Sequence, residues 1–181
     1  PLVDAGLLAQ IRDTVMMPTL RGMAEEGTPF RGILYAGLMI TATGIKVLEY
    51  NCRFGDPETQ VIMPLLVSDP LDIMTACIEG QLDDTPAVWS ERNYAGVVMV
   101  SEGYPDKYET GFEITGLDDD VKNTTIFHAA TRLESGKIVT SGGRVLTVVG
   151  SGESLAEARD AAYHRVQNIG FQGVSYRSDI A

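Results

Sequence analysis

The sequence predicts an α+β chain in two pieces, joined within Asp83–Trp89. Two changes of texture and one total carry that reading. Before the join, two apolar strand-like runs sit among amphipathic helices. After it, short runs of period two recur between turn signals, with one long helix among them. Throughout, 44% hydrophobic and 22% charged residues give an ordinary globular balance that excludes disorder. The 181 residues suffice for one domain or two small ones, and the expected pieces are 1–85 and 86–181.

Taken in order, Val3–Glu26 reads as helix, with Leu7, Leu8, Ile11 and Val15 at helical spacing. Gly27 ends it, and Pro18 predicts a kink near Met17. "FRGILYAGLMIT", Phe30–Thr41, is apolar almost throughout and suits a strand buried on both faces. "ATG" turns the chain, and "IKVLEYN" alternates as the second arm of a hairpin, with Leu48 and Tyr50 on its core side. Asp56-Pro57-Glu58 reads as a helix start, with Asp56 as cap, Pro57 in the first position and Glu58 in the first turn. Pro64 keeps that helix short or kinked. A second helix starts at Ser68-Asp69-Pro70 and runs to about Leu82, with Leu71, Met74 and Ile78 as its apolar stripe.

In the second piece, Tyr94–Ser101 is a strand and Phe112–Thr115 a short one. Ile126–Leu133 and the run from Ile138 form a hairpin around "ESGK", and "GGRVLTVVG" leads into another strand. Ser154–Ile169 is the clearest helix. Ser154 and Glu157 form a capping box, Leu155, Ala158, Ala162, Val166 and Ile169 form the stripe, and Gly170 closes it. A final strand covers Val174–Arg177.

The totals also exclude classes of function. Net charge is −11, and 18 of the 25 acidic residues follow residue 67, which argues against a nucleic-acid surface. No run is long enough to span a membrane. The two cysteines, Cys52 and Cys77, have no metal-type spacing, so a reducing, cytoplasmic setting is expected. The chain opens at Pro1-Leu2-Val3 without an initiator Met, so it is expected to be a processed protein or a piece of a longer one.

The chemistry concentrates in "VLEYNCRFGDPETQ", Val47–Gln60. Glu49 and Asn51 stand at i and i+2 on one strand face, with alpha carbons ~6.5–7 Å apart. A carboxylate and an amide oxygen at that spacing suit one hard cation, and magnesium often takes only one or two protein oxygens. Arg53 adds a fork for carboxylate or phosphate. The helix opening at Gly55–Glu58 offers free N–H groups to an anion. The same residues also suit a plain solvated strand face, with Asp56 as a structural cap.

That stretch, within "FRGILYAGLMIT…GIKVLEYNCRFGDPETQVIMPLL", resembles the end of the ATP-grasp domain of the glycinamide ribonucleotide synthetase (phosphoribosylamine–glycine ligase) family. "EITGL", "FHAATRLESGKIVTSGGRVLTVVG" and "NIGFQGVSYRSDIA" resemble that family's C-terminal domain, in the same order. The resemblance covers essentially the whole chain. It implies the C-terminal part of an ATP-grasp domain, an antiparallel sheet with helices, followed by a small antiparallel-sheet domain with one long helix. It also implies a ligase that joins glycine to 5-phosphoribosylamine with ATP and magnesium or manganese, through a glycyl phosphate.

By the same resemblance, Glu49 and Asn51 are the metal ligands and Arg53 lies near the acyl phosphate. Asp56 and Glu58 line the substrate end, with Arg53 and Asp56 the catalytic candidates. Arg144, after Gly142-Gly143, either holds a substrate phosphate or pairs with an acid. The strand before Glu49 reads "YAGLMI" and lacks the further acidic ligand usual in other ATP-grasp enzymes. The family's N-terminal domain and lysine-bearing lid would precede Pro1, so that missing part is an expected partner and the chain alone is expected to be inactive. Two other readings remain: a different ATP-grasp carboxylate–amine ligase, and a non-catalytic module that keeps the fold.

His128 and His164 have no neighbouring nucleophile and read as structural. Cys52 reads as a buried thiol, and Asp118-Asp119-Asp120 as a solvated loop, since their spacing is not that of a calcium loop.

Overall fold

The computed structural model describes residues 3–181. Pro1 and Leu2, where the expectation of processing rests, lie outside the described residues. In chain order the elements are α1 (Ala5–Ile11), a π-helical turn (Arg12–Met16), α2 (Met17–Glu25), β1 (Tyr35–Thr41), β2 (Gly44–Asn51), α3 (Glu58–Leu65), α4 (Pro70–Glu79), β3 (Asn93–Ser101), β4 (Thr124–His128), β5 (Thr131–Glu134), β6 (Lys137–Thr140), β7 (Arg144–Gly152), α5 (Leu155–Val166) and β8 (Val174–Ser175). They fall into two compact units. One holds Pro1–Gly55 and Ser68–Ala87, the other Asp56–Val67 and Val88–Ala181.

In the first unit, Asp4 caps α1 by accepting from the Leu7 N–H at 2.8 Å. Pro18 lies in the first turn of α2, directly after the π turn. A proline lacks the N–H and its ring crowds the carbonyl four residues back, and the wider turn relieves both. The expected kink near Met17 therefore takes this form. β1 and β2 make an antiparallel ribbon with a register shift between Gly37 and Leu38, and among the described residues they pair only with each other.

That pairing corrects the expected burial. β1 is half-buried as far as Leu38 and exposed from Met39. Leu48 is 63% exposed. Tyr50 places its hydroxyl 2.7 Å from that of Thr19 instead of entering a core. Among the described residues the outer half of the ribbon has no packed layer over these side chains, so its apolar residues stay largely exposed.

Helix α4 starts as its sequence dictates. Asp69 accepts from the Leu71 N–H at 2.8 Å and Pro70 takes the first position. It ends three residues before Leu82, because Gly80 turns left-handed with φ 74°. Its stripe is reversed from expectation. Leu71, Met74 and Ile78 are exposed, while Ile73, Ala76 and Cys77 face inward.

The second unit is an antiparallel sheet in the order β4-β7-β3-β8. On β3, Ala95, Val97, Met99 and Ser101 are buried and the residues between them half-buried. The first set pairs with Gly150, Val148 and Leu146 of β7 on the α5 side. On the opposite face a Cβ on Gly96 would stand 2.9 Å from Val61 of α3. With both faces covered, β7 is buried from Val145 to Gly150, and Val97, Met99, Val145, Leu146, Val148, Ala162 and Val166 form the core.

Ser154 caps α5 by accepting from the Glu157 N–H at 3.2 Å, and Glu157 accepts from the Glu153 N–H at 2.9 Å, one residue earlier than a regular capping box. Leu155 is exposed, at the edge of the stripe. Gly170 does not close the helix, which ends at Val166. It instead bridges Thr115. Arg165 is 1% exposed, and its Nη2 donates to the carbonyls of Gly116 at 2.7 Å and Leu117 at 3.3 Å. Asp119 lies 3.9 Å from its Nη1, beyond hydrogen-bond reach, and Nη1 itself has no hydrogen-bond partner among the described residues.

Three strand expectations are also corrected. The run Ile126–Leu133 breaks at Ala129-Ala130 into β4 and β5. The hairpin proper is β5–β6, turned by Ser135 and Gly136 with φ 50° and 80°, as a two-residue hairpin requires. Phe112–Thr115 forms isolated bridges from Glu113 to Val139 and from Thr115 to Gly170, and the last strand stops at Ser175. No helix among the described residues is long and apolar enough to cross a membrane.

The close approach of α5 to β7 predicts a sharp contrast. A Cβ at Gly150 would overlap the Ala158 carbonyl and reach 2.5 Å from the Ala162 nitrogen. Gly150→Val should therefore destabilise the chain by about 1–3 kcal/mol or more. Gly22, inside α2 with nothing within 4 Å of such a Cβ, should accept alanine with a gain of about 0.5–1 kcal/mol. Chemical denaturation of the two variants against the parent chain measures both changes.

Candidate active site

Strand β2 sets its polar side chains by simple alternation. Glu49 and Asn51 share a face, and the Asn51 Nδ2 donates to Glu49 Oε1 at 3.0 Å. Glu49 pairs across the ribbon with Gly37, and a Cβ there would stand 3.1 Å from the Glu49 Cγ. Gly37 thus leaves room for the carboxylate to lie over β1. Glu49 is exposed and Asn51 half-buried, so both remain open to a ligand.

Both residues carry hard oxygen donors, and a turn of the Asn51 amide brings its oxygen rather than its nitrogen towards Glu49. The pair fits a cation that takes two protein oxygens and completes its shell from water and phosphate. Among the described residues no group of three or more His, Cys, Asp or Glu side chains converges on a metal position.

Arg53 follows on the bend beyond β2, and its Nη1 donates to the Phe54 carbonyl at 2.8 Å. Cys52 is exposed, contrary to the expected buried thiol, because β2 ends at Asn51 and the chain bends away there. Glu49, Asn51 and Arg53 belong to the first unit, and Asp56, Glu58 and Arg144 to the second.

In the second unit the structure brings Asp56 and Arg144 together. Arg144 Nη2 lies 3.0 Å from Asp56 Oδ2, and Arg144 Nη1 donates to the Asp56 carbonyl at 2.7 Å. Gln60 Nε2 donates to the other carboxylate oxygen, Oδ1, at 2.9 Å. Asp56 is therefore not the helix cap that its sequence predicts. Pro57, joined to it by a cis peptide, stands at the cap position of α3 without a side-chain bond. A charge-assisted contact to a guanidinium outweighs a neutral N–H. Glu58 keeps its place in the first turn of α3.

Arg144 is anchored from behind. The buried Ser101 donates its N–H to the Gly143 carbonyl at 2.8 Å and its hydroxyl to the Gly142 carbonyl at 2.9 Å. Neither glycine admits a side chain: a Cβ at Gly143 would overlap the Tyr104 ring, and one at Gly142 would stand 2.7 Å from the Ala130 Cβ. Beside Arg144 a cavity of about 470 Å³ opens, floored by Gly96, Val98 and Val100 and flanked by Tyr104 and Arg177. Arg177 is itself clamped to Asp179 at 2.8 and 2.7 Å, and that hydrogen bonding holds the Asp179 carboxyl below its usual range.

Gln60, Ser101 and Tyr104 were not identified from the sequence. Gln60 was findable, since it lies four residues from Asp56 on a helix entry. Ser101 and Tyr104 act through contacts across the fold and carry no local signal. His128 bonds the Thr131 hydroxyl through Nδ1 at 3.0 Å.

Comparison with known proteins places the chain in a family. The family model "Phosphoribosylglycinamide synthetase, ATP-grasp (A) domain" matches residues 1–59, and "Phosphoribosylglycinamide synthetase, C domain" matches residues 94–181. The chain is 46% identical over its whole length to a phosphoribosylamine–glycine ligase of Caldanaerobacter subterraneus, of which it covers 43%. It is 51% identical over 99% of its length to the trifunctional purine biosynthetic protein adenosine-3 of Gallus gallus, of which it covers 18%. The crystal structure of a phosphoribosylamine–glycine ligase from Thermotoga maritima superposes with a TM-score of 0.75 at 38% identity, covering all of this chain and 44% of that one. The chain thus spans less than half the length of these relatives. Two domain models of one enzyme, met in order along a chain that its relatives match from end to end, identify it as a member of the phosphoribosylglycinamide synthetase family, carrying the end of the ATP-grasp domain and the C domain.

Proposed function

We propose that this chain is part of an ATP-dependent ligase that joins glycine to 5-phosphoribosylamine, giving glycinamide ribonucleotide in a cytoplasmic purine synthesis. The observation that carries the reading is the Glu49–Asn51 pair, hydrogen-bonded on one face of β2 over the clearance left by Gly37. In the proposed reaction the glycine carboxylate takes the γ-phosphoryl group of ATP, releasing ADP. The amine of phosphoribosylamine then attacks the carbonyl carbon of the glycyl phosphate, the C–O bond breaks, and phosphate leaves.

Glu49 and Asn51 would hold magnesium or manganese, which would supply positive charge to offset the negative charge of the phosphoryl groups. Arg53 presents a guanidinium for the anionic acyl phosphate, with one terminal nitrogen, Nη1, donating to the Phe54 carbonyl and the rest of the fork left for the ligand. Asp56 and Glu58 supply carboxylates for the glycine ammonium or the ribosylamine. Asp56 is oriented for this by bonds to both of its carboxylate oxygens.

Two outcomes test the reading. In the full-length enzyme, Glu49→Ala should abolish Mg-ATP binding in equilibrium dialysis and lower product formation about 100-fold or more. Retained binding with full turnover would refute the assignment, and a wild-type enzyme that binds no Mg-ATP would favour a non-catalytic module. The 181-residue chain alone, supplied with ATP, glycine and phosphoribosylamine, should form no glycinamide ribonucleotide. Clear turnover would show that the rest of the enzyme is dispensable.

A further inference from the structure

The sequence leaves Arg144 two roles, a substrate phosphate or an acidic partner, and the geometry separates them. Both terminal nitrogens of the guanidinium are committed to one residue. Nη2 meets the Asp56 carboxylate at 3.0 Å and Nη1 the Asp56 carbonyl at 2.7 Å, across 88 positions of chain. A fork that grips side chain and main chain together fixes a residue's orientation as well as its charge, which a point charge cannot do.

Each end of this contact is itself held. Gln60 occupies the other oxygen of Asp56. At the root of Arg144, the buried Ser101 binds the carbonyls of Gly142 and Gly143, and the Tyr104 ring and Ala130 leave no space for a side chain at either glycine. The backbone of Arg144 is also fixed, since its carbonyl accepts from the Ala130 N–H at 2.9 Å. The pair nevertheless lies near the surface, with side chains 39% and 48% exposed. Ion pairs so exposed contribute little to stability. So many supports around a weakly stabilising pair point to placement as its purpose.

We propose that Arg144 is a positioning residue: it holds Asp56 by carboxylate and carbonyl at the entry to α3, and it takes no substrate phosphate. This rests on the ligase reading above. Misplacing a substrate-facing group by about 1 Å costs on the order of 100-fold in rate, so the effect belongs in kcat.

Steady-state kinetics of the full-length enzyme test it with Arg144→Ala, Arg144→Lys, Asp56→Asn and the Arg144→Ala/Asp56→Asn double variant, each checked by thermal melting. Both Arg144 variants should lower kcat about 10- to 100-fold while KM for phosphoribosylamine moves less than about threefold. The double variant should be no slower than the slower single one, since the two residues act as one device. Lysine keeps charge and stem, so Arg144→Lys carries the test if the alanine variant fails to fold.

A tenfold rise in KM for phosphoribosylamine at unchanged kcat, recovered by lysine, would make Arg144 a phosphate ligand and overturn the proposal. So would independent losses that multiply in the double variant, or single variants with wild-type kinetics. A wild-type enzyme that makes no glycinamide ribonucleotide would remove the ligase reading, a failure visible before any variant is compared.

Discussion

The second unit depends on one close approach, that of α5 to β7. At Gly150 and Gly152 the helix lies against bare backbone, with Ala158 and Ala162 as the facing residues. Removing side chains from both surfaces lets main chain meet main chain, and the larger groups around the contact, Val97, Met99, Val148 and Val166, close over it. Glycine weakens a strand on its own account, so its presence twice in the last third of β7 marks a contact that nothing larger permits. This packing holds β7 in register between β3 and β4, and β7 begins with Arg144.

Rigidity therefore runs from the core to the site along one strand. Its buried stretch is locked by α5, and its first residue is delivered to Asp56 by the Ser101 and Gly142-Gly143 entry. The register shift between Met99 and Val100 sets Arg144 opposite Val100 at that entry. The ribbon β1–β2 is a different kind of scaffold. It places Glu49 and Asn51 through strand alternation alone, and its apolar residues remain largely exposed. A strand pair can set two ligands at a fixed spacing without a core beneath it, since the spacing is a property of the backbone.

What could be read from the sequence follows this division. Local chemistry was legible: the Ser154 cap, the helix start at Ser68-Asp69-Pro70, the Pro18 distortion, the turn around Ser135-Gly136, and the same-face placement of Glu49 and Asn51 all depend on neighbours in the chain. Burial was less so. Leu48, Leu71, Met74 and Ile78 have apolar side chains at the right periods, yet they are exposed, because periodicity reports an apolar face and not what covers it. The role of Asp56 was misread for a related reason. An Asp-Pro-Glu run is a sound helix start, and only the arrival of Arg144 from 88 residues away diverts the carboxylate from the cap. The buried Arg165 is the same case, since its partners lie in a loop almost 50 residues distant.

The division of labour between the two clusters is most directly observable in a crystal structure of the full-length enzyme with magnesium, glycine and a non-hydrolysable ATP analogue. The expected result is a metal with oxygen ligands from Glu49 and Asn51 at about 2.0–2.1 Å, and Arg144 still forked on Asp56. A metal bound by other residues, or an Arg144 guanidinium turned away from Asp56 onto a substrate phosphate, would contradict it.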